Sequence, residues 1–97
     1  IPYYKIPNSI GNYTKLKELH IVNLFIEELP AELQKLPVLG TISFSLAPNS
    51  SIPQIVGVLK SCKKLKKIFL IYCLIEPEKI EEFKRGLANV KIHMEPF

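Results

Sequence analysis

The sequence predicts a small α/β repeat domain in which copies of one strand-plus-connector unit stack to share a core. Three observations predict it. An apolar pattern recurs along the chain at nearly even spacing. Two of the segments between copies align with each other, proline for proline. Within each copy the apolar residues alternate as in a strand, and the longest connector changes to helical spacing.

The fullest copy is Leu65-Lys66-Lys67-Ile68-Phe69-Leu70-Ile71-Tyr72-Cys73-Leu74-Ile75. Its apolar positions are Leu65, Ile68, Leu70 and Ile75, with Cys73 between the last two. Leu16, Leu19, Ile21, Leu24 and Ile26 hold the same offsets, as do Leu39, Ile42, Phe44 and Ala47. Leu87, Val90 and Ile92 begin a further copy. The copies start 23, 26 and 22 residues apart. Ile6-Pro7-Asn8-Ser9-Ile10-Gly11-Asn12-Tyr13 aligns with Leu29-Pro30-Ala31-Glu32-Leu33-Gln34-Lys35-Leu36 at the same 23-residue shift.

Written out, L-x-x-I-x-L-x-x-C-x-I resembles the leucine-rich repeat, L-x-x-L-x-L-x-x-N/C-x-L, whose period is roughly 20–29 residues. The Leu-Pro-x-x-Leu connector resembles that of bacterial and signalling members of the family. The resemblance covers nearly the whole chain. It implies a short leucine-rich-repeat solenoid with a parallel sheet on the concave side and helices or 3₁₀ turns on the convex side. It also implies a buried Asn or Cys whose side chain binds the turn after each strand. Cys73 fills that position, and Leu24 and Ala47 do not, so their turns lose the bond. The role the family implies is protein–protein recognition.

Taken in order, residues 1–4 read as the tail of an earlier turn, with Tyr3 equivalent to Ile26 at the 23-residue shift. The array then starts in mid-repeat: a single domain over 1–97, about four repeats, truncated at its N-terminal side. Pro7 favours a short helical turn after it. Residues 15–21 form the first full strand. Residues 29–36 form one or two turns of helix or 3₁₀, ended by Pro37. Residues 41–45 form the next strand and 47–51 a loop. Ile55, Val56 and Leu59 space a helix, and the lysines after it suit its dipole. Residues 66–71 form the third strand, with Leu70 fully buried. Residues 76–86 form the clearest helix, with Glu early, Lys84 and Arg85 late, and Gly86 as a C-terminal stop. Residues 90–94 form the last strand. Its outer edge is unpaired unless Phe97 folds back over it. An uncovered edge predicts self-association through a chain end.

The chain has 97 residues, 47% hydrophobic and 23% charged, which fits one globular domain. No apolar run reaches the ~18 residues of a membrane span. Cys62 and Cys73 make no disulfide framework. Free thiols, with Cys73 buried and slow to react, lean towards a cytoplasmic location. Ile1 is not an initiator Met, so export stays open. The net charge of +4 comes from the second half, centred on Lys60, Lys63, Lys64, Lys66 and Lys67.

No phosphate-binding Gly-rich loop, Cys-x-x-Cys, His-Glu-x-x-His or Gly-x-Ser-x-Gly is present, so the expectation is a non-enzyme without cofactor. His20 and His93 belong to strands with two others between them. At about 14 Å they are too far apart to share a metal. Glu27 and Glu28, and Glu81 and Glu82, read as solvated charge. The outward strand positions are more informative: Glu18, His20 and Val22; Thr41, Ser43 and Ser45; Lys67, Phe69 and Ile71; Asn89, Lys91 and His93. Exposed apolar clusters mark interfaces. The candidate partner-binding residues are therefore His20, Val22, Phe69, Ile71, Tyr72, Lys91 and His93, and the partner is a protein. The alternative is an anionic ligand or nucleic acid on the basic rim. Aromatic residues are not interleaved with those lysines as in a base-stacking groove, so nucleic acid is not the favoured partner.

Overall fold

The computed structural model describes residues 3–94. Among these residues five strands form one sheet: β1 (Tyr3–Tyr4), β2 (Glu18–Ile26), β3 (Thr41–Leu46), β4 (Lys67–Cys73) and β5 (Lys91–Met94). All neighbours are parallel, and the spatial order β1-β2-β3-β4-β5 is the sequence order. Parallel neighbours need a crossover between them. The crossovers are two 3₁₀ helices, Asn8–Asn12 and Ala31–Lys35, then α1 (Ile52–Lys60) and α2 (Pro77–Gly86). Each touches the next in the series, so they form a single layer.

That layer and the inward strand positions make one core. Ile42, Phe44, Leu46, Ile68 and Leu70 from the strands meet Leu33, Ile55, Leu59 and Phe83 from the connectors. Phe44 and Phe83 pack edge to face, with centroids 6.1 Å apart. Leu39, Leu65 and Leu87, which open their copies, are all buried. The two aligned connectors fold alike. The amides of Ile10 and Leu33 donate to the carbonyls of Pro7 and Pro30, and those of Tyr13 and Leu36 donate to Ile10 and Leu33. Proline also starts both α-helices, where a missing amide hydrogen costs nothing. Among the described residues no helix is long and apolar enough to cross a membrane.

The register departs from the sequence pattern in four places. First, the 23-residue shift holds from Glu18↔Thr41 to His20↔Ser43, but then Phe25 pairs with Ser45. Over that span β2 uses five residues where β3 uses two, so β2 bulges. Asn23 lies in the bulge at φ 67°, a left-handed conformation that Asn tolerates. Leu24 is thus not equivalent to Ala47. Second, β4 holds one extra residue, so Cys73 pairs with Leu46 and not with the position of Ala47. Third, Ile68 pairs with Ile92 and Leu70 with Met94, two residues beyond the predicted alignment. An even slip keeps every side chain on its face. Fourth, Tyr3 and Tyr4 are a strand, not a turn tail, and Tyr3 pairs with Phe25 rather than Ile26. The expectations for Ile1 and Pro2, and for Glu95, Pro96 and Phe97, lie outside the described residues.

Cys73 is consequently half-buried, not buried, and Cys62 is the enclosed thiol. Cys62 Sγ lies 3.5 Å from the Val58 carbonyl oxygen and 3.7 Å from that of Leu33. Burial pushes both thiols up; at Cys73 the Lys84 ammonium pulls the other way. The turn after β3 gets its side-chain bond from Ser50 instead. Ser50 Oγ accepts from the Ala47 amide at 3.0 Å and donates to the carbonyl of Ile26, tying two adjacent turns together.

Gly86 also has another reason than the one predicted. No glycine among the described residues has a positive φ, so Gly86 is not a left-handed stop. A Cβ at Gly86 would fall 2.5 Å from Val56 Cγ1. The residue is small because α1 and α2 pack closely there.

Candidate functional site

The sheet face away from the connector layer carries the predicted site residues, and the register arranges them in rows. Glu18, Thr41, Lys67 and Lys91 lie side by side across four strands. Next along the strands come His20, Ser43, Phe69 and His93. Beyond the bulge are Tyr3, Phe25 and Ser45. His20 and His93 therefore stand at the ends of one row, with two strands between them. Among the described residues no three His, Cys, Asp or Glu side chains gather as a metal's ligand set.

The middle row is held by two kinds of contact. At one end His20 Nδ1 is 2.6 Å from Ser43 Oγ and Nε2 is 2.8 Å from Glu18 Oε1. A carboxylate can only accept, so Nε2–H donates to Glu18. Nδ1 shares the second hydrogen bond with the Ser43 hydroxyl, as acceptor from a neutral ring or as donor from a protonated one. At the other end the rings of Phe69 and His93 stack, with centroids 4.8 Å apart and planes 15° from parallel. His93 Nε2 is shielded from water and has no hydrogen-bond partner among the described residues.

Carboxylate, imidazole and hydroxyl in line are the parts of an activated nucleophile. Here, however, Ser43 is only 4% exposed, and the hydroxyl lies beneath its neighbours on the sheet. The chain of bonds instead fixes the His20 ring over β3. Ser45 is equally enclosed, and its Oγ accepts the Tyr72 amide at 3.2 Å, which secures the extra residue of β4. Outward position and exposure thus part company at both serines. Their small side chains are roofed by longer ones on the flanking strands.

The other predicted residues are accessible. Val22, in the bulge, is 57% exposed and Tyr72 is 42% exposed. Lys91 is exposed, and Phe69, Ile71 and His93 are half-buried. Sequence reasoning missed Tyr3 and Phe25, whose rings lie 6.3 Å apart on the same face. Asn23 was the available signal: a residue of poor strand propensity inside an apolar run.

The rim lysines gather at one end of the sheet. Lys60 closes α1, Lys63, Lys64 and Lys66 lie in the following loop, and Lys67 opens β4. All five are exposed.

No protein-family model matches this chain. No curated protein matches it.

Proposed function

We propose that the chain is a short leucine-rich-repeat solenoid acting as a non-catalytic binding module, and that it takes a protein partner on the helix-free face of its sheet. The observation that carries this is the composition of that face. Phe25, Phe69, Ile71, Tyr72 and Val22 are partly or largely exposed on or beside it, next to His20, His93 and Lys91. Aromatic anchors within a polar rim are the make-up of protein interfaces. The repeat reading is supported by sequence-ordered parallel strands, the twin 3₁₀ connectors after Pro7 and Pro30, and the buried leucines that open the copies. Stacked repeats present a broad sheet surface to their partners.

The test is site-specific photocrosslinking in cells of the source organism. A photoreactive phenylalanine analogue at Tyr72 or Val22 is expected to yield a discrete protein adduct, and the same group at Glu81 on α2 is not. Adding Phe69→Asp should abolish the Tyr72 adduct while the fold, followed by circular dichroism, persists. Adducts from Glu81 alone, or a Tyr72 adduct indifferent to Phe69→Asp, would move the interface off this face.

A further inference from the structure

The fold sorts the charges to opposite edges. All the cationic side chains except Lys5 and Lys79, eleven of thirteen, lie where helices end and strands begin. Glu27, Glu28, Glu32, Glu76 and Glu78 lie at the other edge, where strands end and helices begin. Among the described residues only Glu18 shares the basic edge, and it is engaged by His20.

Helix dipoles explain part of this. Lys35, Lys60, Lys84 and Arg85 occupy last turns, where a cation is favourable. The other seven do not. Lys15, Lys17, Lys63, Lys64 and Lys66 are loop residues, and Lys67 and Lys91 open strands. Among the described residues none of these cations is paired with a carboxylate. Like charges packed this way repel one another, and a polyanionic surface relieves that repulsion.

Two exposed apolar side chains interrupt the lysines. Val38, 43% exposed, lines a groove of about 370 Å³ together with Lys17, Glu18, Gly40, Thr41, Lys64 and Lys66, three cations to one carboxylate. Tyr13, 60% exposed, stands beside Lys15 in the adjacent loop.

We infer that this edge rests on a bilayer bearing anionic phospholipid, its lysines among the headgroups and Val38 and Tyr13 in the interfacial layer. Lysine near such a surface is attracted without any fixed geometry, and tyrosine suits the interface. A nucleic-acid track asks for aromatics between its cations and favours arginine forks. This edge has one aromatic at its end, and ten of its eleven cations are lysine. The edge adjoins the proposed partner face and shares Lys91 with it.

The test is flotation with vesicles of phosphatidylcholine alone or with about 30% phosphatidylserine, at low and high salt. Binding is expected only to the anionic vesicles, falling steeply with salt. Lys64→Glu with Lys66→Glu should weaken it about tenfold or more, and Lys15→Glu with Lys17→Glu similarly. Lys5→Glu with Lys79→Glu, the same change of net charge at other places, should leave it within about twofold. Val38→Ser should reduce the binding that survives high salt. Equal loss from the Lys5/Lys79 pair, or equal binding to uncharged vesicles, would overturn the proposal. So would tighter binding to a single-stranded oligonucleotide, insensitive to Val38→Ser. Low-salt self-association that both edges' variants abolish would assign the edge to contact between copies instead.

Discussion

The chain turns back between strands in two different ways. In the N-terminal half the crossovers are five-residue 3₁₀ helices; in the C-terminal half they are α-helices of nine and ten residues. The first 3₁₀ helix buries none of its residues and the second buries only Leu33. By contrast α1 buries Ile52, Ile55, Val58 and Leu59, while α2, like the second 3₁₀ helix, buries a single residue, the larger Phe83. The short connectors therefore cover the sheet mainly with flanking residues, Ile6, Leu29 and Leu36. The long ones extend the same layer and pack against each other, with Gly86 close to Val56. One parallel sheet can thus carry connectors of either kind, provided the apolar residues bounding them stay buried.

Four experiments sharpen that contrast. The largest effect belongs to α2: Phe83→Ala should cost about 3–5 kcal/mol, as buried aromatic deletions do. Ile10→Ala, at a half-buried place on the first 3₁₀ helix, should cost well under that. Urea unfolding of both measures the difference, and equal costs would mean that the halves share the core evenly.

Close packing between the α-helices predicts the next. Gly86→Ala should destabilise by roughly 1–3 kcal/mol through the clash with Val56. In the Val56→Ala background the same change should cost much less, which a double-mutant cycle reads directly.

One side chain ties the halves together with two hydrogen bonds. Gln54 on α1 donates from Nε2 to the Leu29 carbonyl at 2.6 Å and accepts the Leu29 amide at Oε1 at 2.9 Å. Gln54→Leu leaves both backbone groups unmet and should cost about 1–3 kcal/mol. Faster hydrogen exchange at the Leu29 amide should accompany it. The smallest effect has the opposite sign. A Cβ at Gly57, on the exposed side of α1, would meet nothing. Gly57→Ala should stabilise by about 0.5–1 kcal/mol, seen as a raised thermal midpoint.

What the sequence revealed follows from which features are periodic. Leu39, Leu65 and Leu87 repeat because every copy needs an apolar residue under its strand, and the repetition located all the full strands. Pro7 and Pro30 repeat because both start the same turn, and they located both 3₁₀ helices. Bulges are not periodic. The three extra residues around Asn23, and the one beside Tyr72, shift the pairing of everything after them. Cys73 was therefore assigned to a buried slot that it does not occupy, and Phe25 was overlooked on the open face. Ser50 shows the same limit from the other side. It supplies a turn bond from three residues beyond Ala47, where no pattern match would seek it. The row His20, Ser43, Phe69 and His93 was half legible: alternation placed each on the outer face, but the stacking and the Glu18–His20–Ser43 chain depend on distances between strands.

The central claim is that row: four parallel strands, in sequence order, bringing those side chains into line on the open face. Nuclear Overhauser contacts between assigned ring and side-chain protons test it most directly. The account predicts contacts from the Phe69 ring to the His93 ring and from the His20 ring to the Ser43 side chain, with none between His20 and His93. A His20–His93 contact, or the absence of the Phe69–His93 contact in the folded protein, would contradict the strand order and the proposed binding face built on it.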